Sequence, residues 1–202
     1  MKKPLVIEIL AVGSELLSPY FQDTNSLFLT EKLNDLGLEV NFKSIAGDDW
    51  ENLSVAIQDA LNRSDLIISI GGLGPTHDDL TREAFASVLG KKLVFQKDLY
   101  KKIQARFNRR GRTIPQINKK QAFIINGAQV IKNNHGTAPG LWLETKNKII
   151  ILLPGPPHEI KPMFDEFVLP RLKKFRKIFT AHQVIRTTGM SESRIETLIS
   201  DI

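Results

Sequence analysis

Two adjacent carboxylates close a glycine-rich turn, Gly71-Gly72-Leu73-Gly74-Pro75-Thr76-His77-Asp78-Asp79-Leu80-Thr81. Glycines let a backbone approach a ligand and reach positive φ. The free N–H groups of such a turn, and of a helix start behind it, form a cradle for anionic oxygens. Two aspartates beside that cradle would repel a bare phosphate. They make chemical sense if a divalent cation of the Mg²⁺ type sits between them and the phosphate oxygens. The pattern therefore implies a phosphate-containing ligand and a metal. The bland alternative is that Asp78 or Asp79 simply caps the following helix.

The elements that must position this turn are legible from periodicity. Leu66–Ile70 before it is an apolar run of strand length, and 82–89 after it reads as a helix closed by Gly90. Leu5–Val12 reads as a first buried strand, with Glu8 as its one charge. Leu27, Leu29, Leu33 and Leu36 give a helical stripe ended by Gly37. A strand over 39–46 follows. Asp48 then reads as an N-cap with Glu51 three residues on, ahead of a stripe of Trp50, Leu53, Ile57, Ala60 and Leu61. This βαβα order predicts a three-layer α/β/α fold around a mostly parallel sheet.

Further along, a basic helix is expected over 98–109, a loop over 111–118, and short strands at 123–125, 130–131 and 141–143. A longer strand over 148–153 runs into Pro154-Gly155-Pro156-Pro157. A helix from about His158 should tolerate Pro162 only near its first turn. A last strand, 182–188, and a short helix from Ser191 are too little to fold alone. Residues 1–176 are read as the main domain and 177–202 as a packed tail or the start of a second small one.

Three turns then share one property. Gly13-Ser14-Glu15, Gly71 to Asp79, and Pro154-Gly155-Pro156 each follow a strand expected to be parallel to the others. All three should emerge at the carboxyl edge of the sheet, where open α/β folds bind ligands. Glu15 and the Asp pair would then face one crevice.

The 202 residues carry a net charge of +6, concentrated in 97–112 and 171–177. A solvated helix face explains that excess, and nucleic-acid binding is not expected without a docking motif. There is no cysteine, which excludes thiolate metal sites. Glu8 interrupts the only stretch that imitates a signal peptide, so a cytoplasmic protein away from membranes is expected. The chain has no P-loop, no dinucleotide Gly-x-Gly-x-x-Gly after its first strand, no nucleophile elbow and no His-Glu-x-x-His.

Several boxes taken together resemble a known family. They are Gly13-Ser14-Glu15-Leu16-Leu17, Asp23-Thr24-Asn25-Ser26, Gly47-Asp48-Asp49 and the glycine-Asp-Asp-Thr turn, followed by Asn118-Lys119-Lys120-Gln121-Ala122, Asn134 to Gly140 and Leu153 to Glu159. In this order they are similar to the N-terminal domain of the CinA (competence/damage-inducible) family, itself related to molybdopterin-binding domains of molybdenum-cofactor biosynthesis. The resemblance covers about residues 4 to 175. Residues 186–193 resemble the start of that family's next, smaller domain.

The resemblance implies metal-dependent hydrolysis of the pyrophosphate of ADP-ribose, giving AMP and ribose 5-phosphate, by an enzyme outside the Nudix type. Longer members add an amidase domain, an activity not expected of this chain. On that footing Asp78 and Asp79 bind the metal, and Glu15 is a third carboxylate or the water-activating base. The N–H groups of Gly71 to Thr76, a stretch that includes Gly72, Gly74 and Pro75, hold phosphate oxygens. Thr81 bonds phosphate or orients Asp78, and Lys119 offsets phosphate charge. Asn25 and Asn134 contact ribose or base. Gly13, Asp48, Gly136, Pro154, Gly155 and Pro156 complete the ligand-binding surface. A homodimer is the expected assembly. Two alternatives stay open: a pterin-binding or pterin-adenylylating protein, whose glycine turn typically has Arg before a single Asp, and a non-catalytic nucleotide-binding module.

Overall fold

The strands order as β2-β1-β3-β8-β7-β6 in a computed structural model that describes residues 5–175 and 186–200. Here β1 is Ile7–Val12, β2 Phe42–Ala46, β3 Leu66–Ile70, β6 Gln129–Ile131, β7 Gly140–Glu144 and β8 Ile149–Leu153. The four strands β2, β1, β3 and β8 run parallel, and β7 and β6 turn back antiparallel at one edge.

Strand alternation sorts the side chains to two faces. From β1, Leu10 and Val12 join Ile67, Ile150 and Leu152 under α2 (Trp50–Arg63) and α3 (Thr81–Val88). Ile7 and Ile9 join Ile68, Ile151 and Leu153 on the other side, against Leu29 and Leu33 of α1 (Thr24–Asn34) and Ile160 of α5 (Pro157–Met163). Both faces of the central strands are covered, which is why β1, β3 and β8 read as continuous apolar runs. Each fully buried Ile or Leu contributes roughly 1.5–3 kcal/mol. The mostly parallel three-layer sheet expected from the sequence is present.

Glu8 lies on the α2 side of β1 with no exposed surface. Its carboxylate accepts from Ser44 Oγ (2.7 Å), Ser64 Oγ (2.8 Å), Arg63 Nε (2.9 Å) and Arg63 Nη2 (2.5 Å). Burial pushes its pKa up, but the bonds from Arg63, Ser44 and Ser64 outweigh burial and hold it below the ordinary carboxylate value.

Some local expectations are corrected. The N-cap of α2 is Asp49, whose side chain accepts from Asn52 N–H, so Asp48 does not cap and Glu51 closes no box. Trp50 opens that helix 43% exposed, outside the buried stripe, and Leu27 of α1 is 52% exposed. Leu93–Phe95 forms an unforeseen strand, β4, which pairs antiparallel with β5 (Phe123–Ile125) in a separate small sheet. Its three residues lie between a glycine and a helix and leave too short a pattern to show alternation. The basic helix α4 is Lys97–Asn108, and a 3-10 segment, Gln116–Ala122, replaces most of the expected loop beyond Pro115.

Pro162 stands inside α5 rather than in its first turn, and the chain continues as a π-helical turn, Phe164–Val168, then α6, Leu169–Leu172. Pro162 and Pro170 each remove an i→i−4 bond, and the wider turn lies between them. Residues 182–185 of the expected last strand lie outside the described residues, and 186–188 carry no regular structure. The expected short helix is present as α7, Glu192–Ile199. Among the described residues, no helix is long and apolar enough to cross a membrane.

Candidate active site

The turns after β1, β3 and β8 meet at the carboxyl edge of the sheet, as strand direction required. They enclose a crevice of about 440 Å³. Gly13, Glu15 and Asp48 line one wall, and Pro154, Gly155 and Pro156 another. The glycine turn forms the floor, with Gly71, Gly72, Gly74, Pro75, Thr76, Asp78 and Asp79 all facing it. A second lobe of about 380 Å³ adjoins it, sharing Val12, Glu15, Gly71, Gly155 and Pro156 and adding Gln22, Asp23 and Asn25.

The glycines at 71 and 72 are required by their surroundings. Gly71 sits at φ +99°, and a Cβ there would stand 2.2 Å from Val12 O; Gly72 sits at φ +64°, where a Cβ would meet Thr81 Oγ1 at 2.1 Å. The turn can thus press against the end of β1 and against α3 only without side chains. Gly71 N–H is engaged by Leu153 O at 3.0 Å. The N–H groups of Gly72, Leu73 and Gly74 donate to no group among the described residues. These three form the open part of the cradle.

The acidic pair divides its roles. Asp79 Oδ2 accepts from Thr76 N–H (2.8 Å) and Thr76 Oγ1 (2.5 Å), which folds the turn back on itself. Neither aspartate caps α3, whose N-cap is Leu80 with no side-chain bond. Asp78 is exposed, and no group among the described residues donates to its carboxylate or to that of Glu15, which rides on the 3-10 turn Ser14–Leu17. That turn is fixed to the next one: Ser14 N–H donates to Asp48 Oδ2 (2.8 Å), and Asp48 N–H donates to Ser14 Oγ (3.0 Å). Asp48 therefore ties two rim turns together while lining the crevice.

A cage of three carboxylates is not assembled. Among the described residues no three His, Asp or Glu side chains converge as a cation-holding group. Mg²⁺ is commonly bound by one or two carboxylates together with substrate phosphates and waters. Asp78 and Glu15 line the crevice with no donor among the described residues and so are available for that mode; Asp79 Oδ2 is already doubly engaged.

Other candidate residues fall elsewhere. Thr81 is fully buried, and its hydroxyl donates to Gly71 O at 2.9 Å, so it holds the turn and does not reach a ligand. Lys119 is exposed and lies 5.5 Å above the Phe95 ring. Its neighbour Lys120 reaches the turn instead, donating to Thr76 O (3.1 Å) and Asp79 O (2.5 Å). In a 3-10 segment successive side chains diverge by a third of a turn, so a shift of one residue changes the target. Asn25 lies in the second lobe; its Nδ2 donates to Gly155 O at 2.7 Å, and its buried Oδ1 has no partner.

Asn134 and Gly136 line a different groove. Asn133, which the sequence reading passed over, organises their loop by accepting from His135 and Gly136 N–H and donating to Ala138 O and Glu159. Glu159 lines the crevice, and its carboxylate lies against Gly136, where a Cβ would stand 2.0 Å from Oε2.

Arg82 was also missed. It is 1% exposed on α3, with Nε and Nη2 lacking hydrogen-bond partners; Glu83 Oε1 is 3.5 Å from Nη2 but is not aligned to accept. Burial lowers its pKa against the opposing pull of Glu83 and Asp79. The only available signal was a charged residue on the apolar side of a short helix.

A mostly parallel open sheet with a glycine turn and carboxylates at its carboxyl rim places the crevice where open α/β folds bind ligands. Residues 8–174 match the family described as a probable molybdopterin binding domain. The CinA-like protein of Solibacter usitatus is 46% identical over 200 residues, covering 96% of this chain and 47% of the relative. The CinA-like protein of Dictyoglomus thermophilum is 46% identical over 195 residues, with the same coverage. The chain spans about half the length of these curated relatives. The crystal structure of the Thermoplasma acidophilum protein CinA, of unknown function, superposes with a TM-score of 0.73 at 34% identity, covering 86% of this chain and 99% of that one. The molybdopterin biosynthesis enzyme MoaB of Thermus thermophilus shares the fold at a TM-score of 0.55 and 21% identity, covering 87% and 99%. The chain belongs to the molybdopterin-binding domain family and, within it, to the CinA (competence/damage-inducible) group.

Proposed function

We propose that the crevice hydrolyses a nucleotide pyrophosphate, with ADP-ribose giving AMP and ribose 5-phosphate. The observation that carries this reading is three unengaged backbone N–H groups, of Gly72, Leu73 and Gly74, in one crevice with two unpartnered carboxylates, Glu15 and Asp78. Donors fixed in advance stabilise charge growing on phosphoryl oxygens without reorganising. Asp78 and Glu15 would hold a divalent cation jointly with the substrate, and the cation would supply charge neutralisation at the pyrophosphate.

Glu15 sits where the crevice and its second lobe join. In the proposed step its carboxylate takes a proton from water as the water oxygen bonds to phosphorus. The bridging P–O bond breaks, and the bridging oxygen leaves with the other phosphate. The second lobe, which Asn25 lines, takes one half of the substrate.

The test is chromatography of products after incubation of the purified protein with ADP-ribose, with and without Mg²⁺. AMP and ribose 5-phosphate in equal amounts support the reading; intact ADP-ribose in both arms overturns it. The family description favours one other reading, a pterin site in the same crevice. Calorimetry with a pterin phosphate and with ADP-ribose separates the two, because the tighter ligand names the class.

A further inference from the structure

Across Thr137 from the crevice lies a larger groove of about 650 Å³, between α4 and the loop after β6. Lys102, Arg106, Arg109, Arg110 and Lys132 line it, and no carboxylate does. Among the described residues none of the five forms an ion pair; Arg106 donates to the carbonyl of Asn134 at 2.9 Å. A solvated helix face normally interleaves acids with bases. Leu99, Ile103, Val130 and Pro139 add an apolar surface beneath these cations.

We infer that this groove is a second binding site, for a nucleoside polyphosphate. Five cations that converge without counter-charge offer several charge-assisted contacts, which suits two or more phosphates rather than one. The apolar surface suits a flat base, which a bare polyphosphate would leave unused. The volume falls within the roughly 300–1,000 Å³ of small-molecule sites. A nucleic-acid strand would need a basic track running beyond one cavity, with stacking aromatics, and the groove lining contains none. The loop that forms one wall also faces the crevice through Thr137, and Asn133 joins it to Glu159. Occupation of the groove therefore bears on the crevice wall, while the site itself does not depend on hydrolysis there.

The test uses the full chain with ATP as the probe, in the absence of divalent cation. Amide shifts in ¹H–¹⁵N spectra should fall on residues 99–110 and 130–137. A Lys102→Ser/Arg109→Ser/Arg110→Ser variant changes only exposed residues and should bind ATP at least about tenfold more weakly, the scale of losing even one charge-assisted bond. Shifts confined to residues 71–79, or unchanged affinity in the triple variant, would overturn the site. A single-stranded decanucleotide binding more tightly than ATP would overturn the ligand class in favour of nucleic acid. Absent ADP-ribose turnover in both proteins counts against the hydrolase reading alone, since the ATP result stands apart from it.

Discussion

Glu8 and Glu15 lie seven residues apart, one inside β1 and the other just past its carboxyl end, and their surroundings are opposite. Glu8 has no exposed surface, and four donors satisfy it. Glu15 is exposed at a crevice, with no donor among the described residues. The two arginines repeat the contrast. Arg63 closes the Glu8 network, whereas Arg82 is buried at the start of α3 with two nitrogens lacking hydrogen-bond partners. The charge at the inner end of the sheet is neutralised within the fold, whereas Glu15 and Asp78 at the rim accept from no group among the described residues, although Asp48, Asp79 and Glu159 beside them are engaged. A group left open at a desolvation cost is a candidate for work on a ligand.

The sharpest way to break this comparison is at the rim. Glu15→Gln should lower ADP-ribose turnover by about a hundredfold or more, the scale of losing one electrostatic or acid–base contribution. Its melting temperature should stay within about 2 °C of the parent, because no contact is lost. Asp79→Asn should also leave melting nearly unchanged, since the amide oxygen can still accept from Thr76. Its turnover should fall only if its charge matters beyond that turn. Turnover within threefold of the parent in Glu15→Gln would return Glu15 to the surface residues.

At the inner end the order of effects reverses. Glu8→Gln should cost roughly 2–3 kcal/mol, less than a fully buried pair because Arg63 is 40% exposed and can rehydrate. That corresponds to a fall of about 5–10 °C in melting temperature for a domain of this size. Any turnover should persist below the new melting point. The Glu8 pKa is depressed in the fold, so its stabilisation is complete above the ordinary glutamate value of 4.5 and is lost as pH falls through the depressed value. Chemical denaturation of parent and variant should converge below that range; a constant gap down to strongly acidic pH would contradict the assignment.

Arg82→Met tests whether a buried cation with two nitrogens outside any hydrogen bond contributes to the fold, its ion pair with Glu83 notwithstanding. An apolar side chain of similar length should leave melting unchanged or raised, because the guanidinium gives up solvation without full compensation. A fall as large as that of Glu8→Gln would mean that its nitrogens find partners. The smallest free energies belong to the tail. Every residue over 186–200 is exposed except the half-buried Ile195, so hydrogen exchange there should report opening below roughly 2 kcal/mol. Strong protection throughout α7 would contradict this.

The order of elements, the two-sided burial of β1, β3 and β8 and the shared rim were legible in the sequence. They depend on local periodicity and on the direction a parallel strand must run. The glycines at 71 and 72 were legible for the same kind of reason: a turn that approaches a neighbouring backbone excludes Cβ, and that requirement stays visible as residue type. The partner of each polar side chain was not legible. Asp48 and Asp49 are chemically alike, and only the true start of α2 makes Asp49 the cap. Lys119 and Lys120 are adjacent and identical in kind, and the 3-10 segment turns Lys120 toward the glycine turn. Thr81 carries a hydroxyl that suits phosphate, but it donates to Gly71 O and holds the turn as a strut. Sequence by itself determined which backbone positions must be bare and which faces must be apolar. Tertiary structure alone decided which charges are closed and which stay open, because a hydrogen bond depends on ångström-scale placement of groups up to 130 residues apart, as between Asn25 and Gly155.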